Sequence, residues 1–558
     1  MVNRVLNLFY REIRGLHQAA YVLALFALAS QVLAIARDRI LAHHFGAGTE
    51  LDIYYAAFRI PDLLFVLFAS VLSVYVLLPF VTQAQKENTI AARAILSQMF
   101  SLFLLAYSVM AVATFLLAPS LASYLFTGFS PEAQTEAVLL LRILLLQPLL
   151  LGVSSLLGVV TQLGHRFIIY ALSPLLYNIG IIIGALFLYP IFGIAGLAYG
   201  VVIGAFLHAL IQVPLVYKSE FRFSLTFIID LKLISSIAKV AVPRAITLSL
   251  NQISLLVLVS IATTMTVGSV AVLQFAFNLQ SVPLAIIGMS YSVAAFPTLA
   301  SLLAEKKQSE FNQYVLTALR HVIFWSTPVV VLVIVLRAQL VRVILGSGSF
   351  DWSDTRLTAA ALAIFVVSLL AQSILLLVVR AFYAGGFTKL PLVVTLVGTV
   401  FAVSSAIGLY NLFLYSLPVQ TFFTSLFRLE NVAGVEVLML PLGYTIGIII
   451  EVVLMLWFAA RTFQMQLSSL SKPLVVALTS SLVGGLFAYA ALLFLVEGVN
   501  QNTFVGILIQ GVVAGVMGVA GVVLSYRLLG SPEMHEIYLA FKRKIVKSEI
   551  VTPQPDII

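Results

Sequence analysis

The stretch ARDRILAHHFGAGTELDIYYAAFRIPDLL, from Ala36 to Leu64, places charged side chains between two long apolar runs. Its charged residues include Arg37, Asp38, Arg39, Asp52, Arg59 and Asp62. An arginine at bilayer depth costs at least about 2.5 kcal/mol on insertion scales, so it normally faces a watery cavity or a partner. The stretch therefore predicts a membrane protein with a polar interior near the ends of its first two spans.

The composition of the 558-residue chain supports a membrane location. Hydrophobic residues make up 61% of the chain, charged residues only 9%, and the mean hydropathy is +1.10. The apolar segments are mostly about 20 residues or longer, which at a helical rise of about 1.5 Å per residue spans a hydrocarbon core of about 30 Å. Runs this long favour helices over the alternating strands of a barrel. We therefore expect an all-α polytopic membrane protein.

Charged, Pro-rich and Gly-rich breaks divide the sequence into about fourteen transmembrane helices. The predicted spans are 18–41, 57–80, 95–118, 137–163, 168–189, 193–217, 233–265, 269–300, 316–345, 357–384, 389–411, 436–461, 473–496 and 504–528. The chain has no cysteine, so it has no disulfide or thiol chemistry. The residue patterns indicate no metal, cofactor or catalytic site, and we do not expect an enzyme.

Lysines and arginines in the loops predict the orientation of the chain. They are concentrated in every second loop, whereas the opposite loops hold few. By the positive-inside rule, the basic loops and both termini face the cytoplasm. The basic start leads into a full-length span, so we expect no cleavable signal peptide. The net charge of +9 fits membrane lipids better than nucleic acid, because the basic residues lie at span ends.

The second and eighth spans show an internal similarity. AFRIPDLL at 57–64 aligns with AFNLQSVP at 276–283, which places Arg59 on Asn278. The same offset aligns VVTQL in the fourth span with VVRAF in the tenth. Chance similarity between apolar helices is one explanation, and an internal repeat is the other.

A repeat predicts two six-helix lobes. Because each lobe has an even number of helices, the repeats are parallel and related by a pseudo-two-fold axis along the membrane normal. The expected divisions are an N-lobe at 1–217, a C-lobe at 218–461, two extra helices at 462–529 and a cytoplasmic tail at 530–558. Transporters built in this way carry their cargo between the lobes.

Two interpretations of the charged stretch are open. In the first, Arg37, Asp52 and Arg59 form an ion-pair cluster that holds the loop HHFGAG against the first two spans. In the second, the arginines form an anion-binding surface at the mouth of a cavity, where planar guanidinium donors suit phosphate oxygens. Arg380, near the end of the tenth span, is a further candidate for binding phosphate or lipid headgroups.

Several motifs resemble those of the MurJ (MviN) family. They are FGAG and AFRIPDLL in the opening stretch, followed by LLGVVTQLGHRF, GIAGLAYGVVIGA, AVPR and RAFYAGGFTKLP. Their order and spacing over roughly residues 25–460 carry the resemblance. It implies a lipid II flippase of the multidrug/oligosaccharidyl-lipid/polysaccharide exporter superfamily, with a cationic cavity between two lobes and a lipid-tail groove on the extra helices. Arg37, Asp52 and Arg59 match polar positions that matter in the family.

The chain departs from the family at most of its cavity arginines. The Ser-Arg of span one is Ser30-Gln31, the arginine pair of span two is Phe65-Val66, and the arginine of span eight is Asn278. If the pair is counted as one position, three of four characteristic cavity arginines of the family are absent. The acid of span seven that helps to hold sodium in some members also has no counterpart.

The main hypothesis is a flippase that moves an undecaprenyl-diphosphate-linked peptidoglycan precursor, lipid II, across the bacterial inner membrane by alternating access. The alternatives are an exporter of another lipid-linked oligosaccharide or amphiphile, and a non-transporting membrane scaffold. The predicted substrate-binding residues are Arg37, Arg59, Asp52, Asn278 and Arg380. The predicted partners are the lipid-linked diphosphate and membrane lipids, with cell-wall synthesis proteins as further candidates.

Overall fold

The computed structural model of the chain describes residues 16–495, 503–537 and 539. This described part is almost entirely helical and contains no β-strand. The all-α, multi-span fold class predicted from the sequence is therefore confirmed. Most of the predicted tail at 530–558 lies outside the described residues.

The described residues of the first half of the chain, which begin at residue 16, form eleven α-helices. They are α1 (Leu16–Phe45), α2 (Thr49–Ala69), α3 (Val74–Glu87), α4 (Thr89–Leu125), α5 (Pro131–Leu144), α6 (Leu146–Leu163), α7 (Phe167–Ile183), α8 (Tyr189–Phe192), α9 (Ile194–Leu210), α10 (Val213–Lys218) and α11 (Leu231–Ala262). A π-helical turn at Gly184–Leu188 joins α7 to α8. The helix α11 begins where the Asp230 carboxylate accepts hydrogen bonds from the backbone N–H groups of Lys232 and Leu233.

Nine more α-helices follow in the described residues of the second half. They are α12 (Ser269–Leu284), α13 (Ser290–Ala304), α14 (Gln308–Ile344), α15 (Trp352–Ala384), α16 (Lys389–Tyr415), α17 (Leu417–Phe427), α18 (Met439–Phe463), α19 (Ser471–Ala490) and α20 (Phe504–Leu528). A second π-helical turn, Ala285–Met289, joins α12 to α13 and begins two residues after Pro283. Short 3₁₀ turns precede α18 and α19.

Twelve helical segments of the described chain are long and apolar enough to cross a membrane. They match the third to fourteenth predicted spans, and α1 and α2 lie at the first two. The count of fourteen is therefore approximate. The predicted second span is interrupted, because α2 ends at Ala69 and α3 begins at Val74, with the Ser73 hydroxyl donating to the Ser70 carbonyl at 2.8 Å.

One helix was not predicted. The segment between the eleventh and twelfth spans was expected to be a loop, but it contains α17. Its second residue is a proline, which suits the first turn of a helix, and it ends at Arg428, whose φ of 55° is left-handed. With only eleven residues, this helix is too short to appear as a span in a hydropathy reading.

The chain divides into two compact units that cut across several helices. The first unit comprises residues 1–282, 344–365 and 387–451, and the second comprises residues 283–343, 366–386 and 452–558. These divisions differ from the predicted lobe boundaries, and the two-lobe repeat stays a prediction.

In the first unit, α7 and the π-helical turn that follows it pack backbone to backbone against α9 through glycines. A Cβ atom at Gly180 would lie 2.2 Å from the Gly204 Cα, and one at Gly200 would lie 2.4 Å from the Gly184 Cα. Such small-residue contacts drive helix association in membranes, where lipid removes the hydrophobic driving force. The motif GIAGLAYGVVIGA is therefore a packing motif.

The second unit has its own apolar contacts. Tyr526 on α20 stacks on Phe324 of α14, with ring centroids 4.3 Å apart, and its hydroxyl donates to the Phe324 carbonyl at 2.9 Å. Ala477 on α19 and Val522 on α20 belong to the same cluster. The two helices predicted to be extra to the repeat therefore pack on α14.

Candidate substrate-binding site

A continuous polar network in the first unit joins α1, α2, α7 and α12. The Arg59 Nη2 donates to the Gln274 Oε1, and the Gln274 Nε2 donates to the Asn278 Oδ1 at 2.6 Å. The Asn278 Nδ2 then donates to the Asp38 Oδ2 at 3.0 Å, and the other Asp38 oxygen accepts from Arg37. Every step is a hydrogen bond between side chains, as buried polar groups require.

Arg37 is bound at all three of its nitrogens. Its Nε and Nη2 donate to the Asp38 Oδ1 at 2.9 Å and 2.7 Å, and its Nη1 donates to the Asn178 Oδ1 at 2.9 Å. The Asn178 amide nitrogen is bound in turn by the Pro174 carbonyl at 3.1 Å. Arg37 is therefore compensated by a carboxylate and an amide of the protein itself.

Arg59 has a different environment. It is 6% exposed, and its described acceptors are uncharged: the Gln274 side chain and the Tyr55 carbonyl, the latter at 3.3 Å from its Nε. Asp62, one turn along α2, interacts with it electrostatically, but the described residues form no salt bridge with it. Arg59 is thus a buried cation without a directly bonded carboxylate.

Asp52 is bonded to neither arginine in the described structure. Its two oxygens accept hydrogen bonds from the backbone N–H groups of Gly268 at 2.7 Å and Ala271 at 2.8 Å. A carboxylate at the beginning of a helix satisfies backbone donors and complements the helix dipole. Asp52 therefore caps α12, and the described hydrogen bonds do not form the Arg37–Asp52–Arg59 cluster that was one sequence interpretation.

The loop HHFGAG packs on two later loops of the first unit. A Cβ atom at Gly46, whose φ is +60°, would lie 2.6 Å from the Ser349 carbonyl oxygen. A Cβ atom at Gly268, whose φ is +93°, would lie 2.2 Å from the Ala47 carbonyl oxygen. The Ala47 N–H also donates to the Asp354 carboxylate at 3.1 Å. We name these contacts, together with the Asp52 cap, the loop clamp.

The network borders a cavity of about 210 Å³ in the first unit. Three ionisable side chains on its wall are Arg37, Arg59 and Asp62, and three tyrosines surround them. The full lining is Arg37, Leu41, Tyr54, Tyr55, Phe58, Arg59, Asp62, Tyr177, Ile181, Gln274 and Asn278. The cavity offers guanidinium, amide and phenol donors to a ligand with acceptor oxygens.

Of the five predicted site residues, the structure places three on this cavity. Arg37, Arg59 and Asn278 line it, whereas Asp52 lies in the loop clamp. Arg380 belongs to the second unit, where its Nη2 lies 3.3 Å from the Met289 sulfur.

Three network residues, Asp38, Asn178 and Gln274, were absent from the predicted site. Asp38 lies in the charged opening stretch, but its bonds to Arg37 and Asn278 could not be assigned from the sequence. Asn178 gave a sequence signal, because it is an amide inside the apolar run IIYALSPLLYNIGIII. Intramembrane polar residues of this kind are candidates for a site or for interhelical bonding.

Comparison with known proteins agrees with these features. The family "Lipid II flippase MurJ" matches residues 41–515. A relative from Buchnera aphidicola subsp. Acyrthosiphon pisum, "Probable lipid II flippase MurJ", is 28% identical over 377 residues, covering 66% of this chain and 73% of its own. The "Lipid II flippase MurJ" of Burkholderia cenocepacia is 24% identical over 387 residues, covering 68% and 75%.

Solved structures show the same fold. A "Lipid II flippase MurJ" in an inward closed conformation superposes with a TM-score of 0.71 and 22% identity, covering 91% of this chain and 99% of that one. An inward-facing MATE family transporter of the MOP superfamily gives a TM-score of 0.61 at 18% identity, covering 79% and 96%. The fold and the polar cavity define a multi-span membrane protein with the fold of these transporters. By the match over residues 41–515, the chain belongs to the lipid II flippase MurJ family.

Proposed function

We propose that this protein moves lipid II across the bacterial inner membrane by alternating access, with both termini in the cytoplasm. The observation that carries the proposal is the cavity bordered by Arg37 and Arg59 in a chain of this family. A lipid diphosphate carries about two negative charges, and burying such charges without cationic partners is costly. Cationic donors on a cavity wall reduce that cost.

Arg59 is the side chain that we assign to the diphosphate. Its bond to the neutral Gln274 amide is weaker than a bond to an ionised oxygen, because an anionic acceptor adds the attraction between opposite charges. Its planar guanidinium also matches two phosphate oxygens at once. A phosphate that displaces the Gln274 amide would therefore make a net gain at Arg59.

Arg37 has a supporting role in this proposal. Its guanidinium donates to Asp38, and Asp38 accepts a hydrogen bond from Asn278. Arg37 therefore orients the Asn278 amide, which the resemblance aligns with an arginine of the family. Asp52 likewise supports the site through α12 and makes no direct contact with the lipid. Arg380 remains a candidate for headgroup binding.

Transport requires the loop clamp to open. By the predicted orientation, the clamp lies at the outer ends of α1, α2 and α12, and its contacts are mostly short hydrogen bonds and close glycine packing. We propose that the clamp opens to release lipid II outward, with the extra helices at 462–529 forming a groove for the lipid tail. Contacts with cell-wall synthesis proteins are a further prediction.

A second candidate function is the export of another lipid-linked oligosaccharide. The amides of Gln274 and Asn278 favour this function, because an amide can both donate to and accept from a sugar hydroxyl. An arginine can only donate, so an arginine-rich cavity wall would bind sugar hydroxyls less selectively. Both candidates share the lipid diphosphate and differ in the sugar.

Genetic complementation tests the proposed function. Cells depleted of their own lipid II flippase should resume growth when they express this protein, and lipid II should stop accumulating on the cytoplasmic side. An empty vector is the negative control. If the cells lyse although their membrane contains normal amounts of the protein, the result would argue for export of another lipid-linked oligosaccharide.

A further inference from the structure

A buried carboxylate lies outside the candidate site. Glu451, on α18 in the first unit, is 3% exposed. The Thr395 hydroxyl on α16 donates a hydrogen bond of 2.6 Å to its Oε1. An ionisable residue inside a membrane span is costly to retain and is a candidate for function.

The packing of α16 against α18 is built around this carboxyl group. A Cβ atom at Gly443 would lie 2.4 Å from the Ala406 nitrogen, and one at Gly447 would lie 2.4 Å from the Ala402 Cβ. Four residues further along α18, the position is occupied by Glu451 instead of a small residue.

The facing position on α16, four residues before Ala402, is Gly398. A Cβ atom there would lie 2.8 Å from both the Cβ and the Oε2 of Glu451. Gly398 therefore supplies the space that the carboxyl group occupies between two closely packed helices.

In the described part of the chain, this carboxyl group has no salt-bridge partner. On α16 its neighbours are Thr395 and Gly398, and on its own helix the titratable group that interacts with it is Tyr444. Among the described residues of α11 and α16, no charged side chain makes a salt bridge or hydrogen bond with it. Burial without a cationic partner favours the neutral carboxylic acid over the carboxylate.

We propose that Glu451 is a proton-binding site that couples transport to a pH gradient. A carboxylate oxygen takes a proton from water when α16 and α18 separate, and the neutral acid is stable when they close on Gly398. Reopening to water on the other side returns the proton. A metal ion fits less well, because the close contact with Gly398 leaves one hydroxyl, that of Thr395, as the second ligand. The coupling, but not the proton binding, depends on the proposed function.

Two measurements on the purified full-length protein test this inference. Infrared spectroscopy across a pH titration in detergent should show a protonated-carboxyl band that Glu451→Gln removes. In vesicles with the membrane potential clamped, an imposed pH gradient should accelerate the movement of fluorescent lipid II by the wild type, and Glu451→Gln should lose that acceleration. The exposed carboxyl variant Glu310→Gln is the matched control and should behave as the wild type in both.

Glu451→Asp separates a proton site from a structural role, because it keeps a titratable group in the same place. It should retain the response to the pH gradient. The inference would be overturned if Glu451→Gln kept the titrating band of the wild type or kept its response to the pH gradient. It would also be overturned if the wild-type protein responded to a sodium gradient and not to a pH gradient. If no version moves lipid II, the proposed function fails, and the infrared band still decides whether Glu451 binds a proton.

Discussion

Arg37 and Arg59 belong to one polar network, but their bonding partners assign them different roles. Arg37 is bound to a carboxylate and an amide, whereas the described bonds of Arg59 go to an amide and a carbonyl. The sequence shows both arginines near the ends of apolar runs and indicates a polar interior there. It does not show which acid binds which arginine, because Asp38, Asp52 and Asp62 all lie within a few helical turns.

Replacing Arg59 tests the diphosphate contact. Arg59→Ala should abolish complementation while the protein still inserts, because a hydrogen bond to a charged group contributes about 1.5–3 kcal/mol, roughly ten- to hundred-fold in affinity. Arg59→Lys should restore part of the activity, since it keeps the charge but not the two-pronged geometry. The measurement is growth of flippase-depleted cells, normalised to protein in the membrane.

Arg142→Ala is the matched control for Arg59. Arg142 is an arginine of the same unit, but its Nε donates to the Phe115 carbonyl and it does not line the cavity. This variant should complement normally. Equal loss of growth in the Arg142 and Arg59 variants would show a general effect of arginine removal and contradict the assignment.

Replacing Arg37 should act mainly on stability. Arg37→Ala leaves Asp38, which is 6% exposed, with Asn278 as its remaining described partner, and breaking a buried pair costs about 3 kcal/mol. Thermal unfolding of the purified protein should show the loss, and adding Asp38→Asn should recover part of it. A stable but inactive Arg37→Ala protein would instead place the ligand at Arg37.

At the scale of the helices, apolar run length predicted nearly every element, because a span must cross about 30 Å of hydrocarbon. The break between α2 and α3 and the short α17 were missed, since hydropathy is insensitive to both. The capping of α12 by Asp52 was also missed. That bond joins residues more than two hundred positions apart, and no local pattern indicates it.

The Asp52 cap gives a prediction at this scale. Asp52→Ala should lower the stability of the protein by about 1–2 kcal/mol, because two backbone donors of α12 lose their acceptor. Asp52→Asn should lose less, since its amide oxygen can still accept. Thermal unfolding measures both. Asp230→Ala, at the exposed cap of α11, should have the smaller effect, and the reverse order would contradict the cap as a main part of the loop clamp.

At the scale of the whole molecule, the basic loops predict the orientation of every span. A cysteine introduced at Thr49 should react with an impermeant thiol reagent added outside intact cells, and one at Gln308 should react only after lysis. Both positions are exposed, and the natural chain has no cysteine to interfere. Labelling of the Gln308 position in intact cells would reverse the topology and with it the direction of the proposed transport.

The sequence predicted the family and the membrane architecture, but it could not decide the cargo. Composition and motif order reflect the fold, whereas the cargo depends on a few side chains at one cavity. Here only the structure shows that the Asn278 amide is bonded to Asp38 and Gln274.

The central claim is that this protein moves lipid II, and direct observation of that movement tests it best. Fluorescent lipid II is placed in vesicles that contain the purified protein, and the fraction accessible to an impermeant quencher is followed with time. The proposal predicts exchange between leaflets well above that in protein-free vesicles, retained by Arg142→Ala and lost in Arg59→Ala. No exchange of lipid II by a folded wild-type protein, together with exchange of a different lipid-linked oligosaccharide, would contradict it.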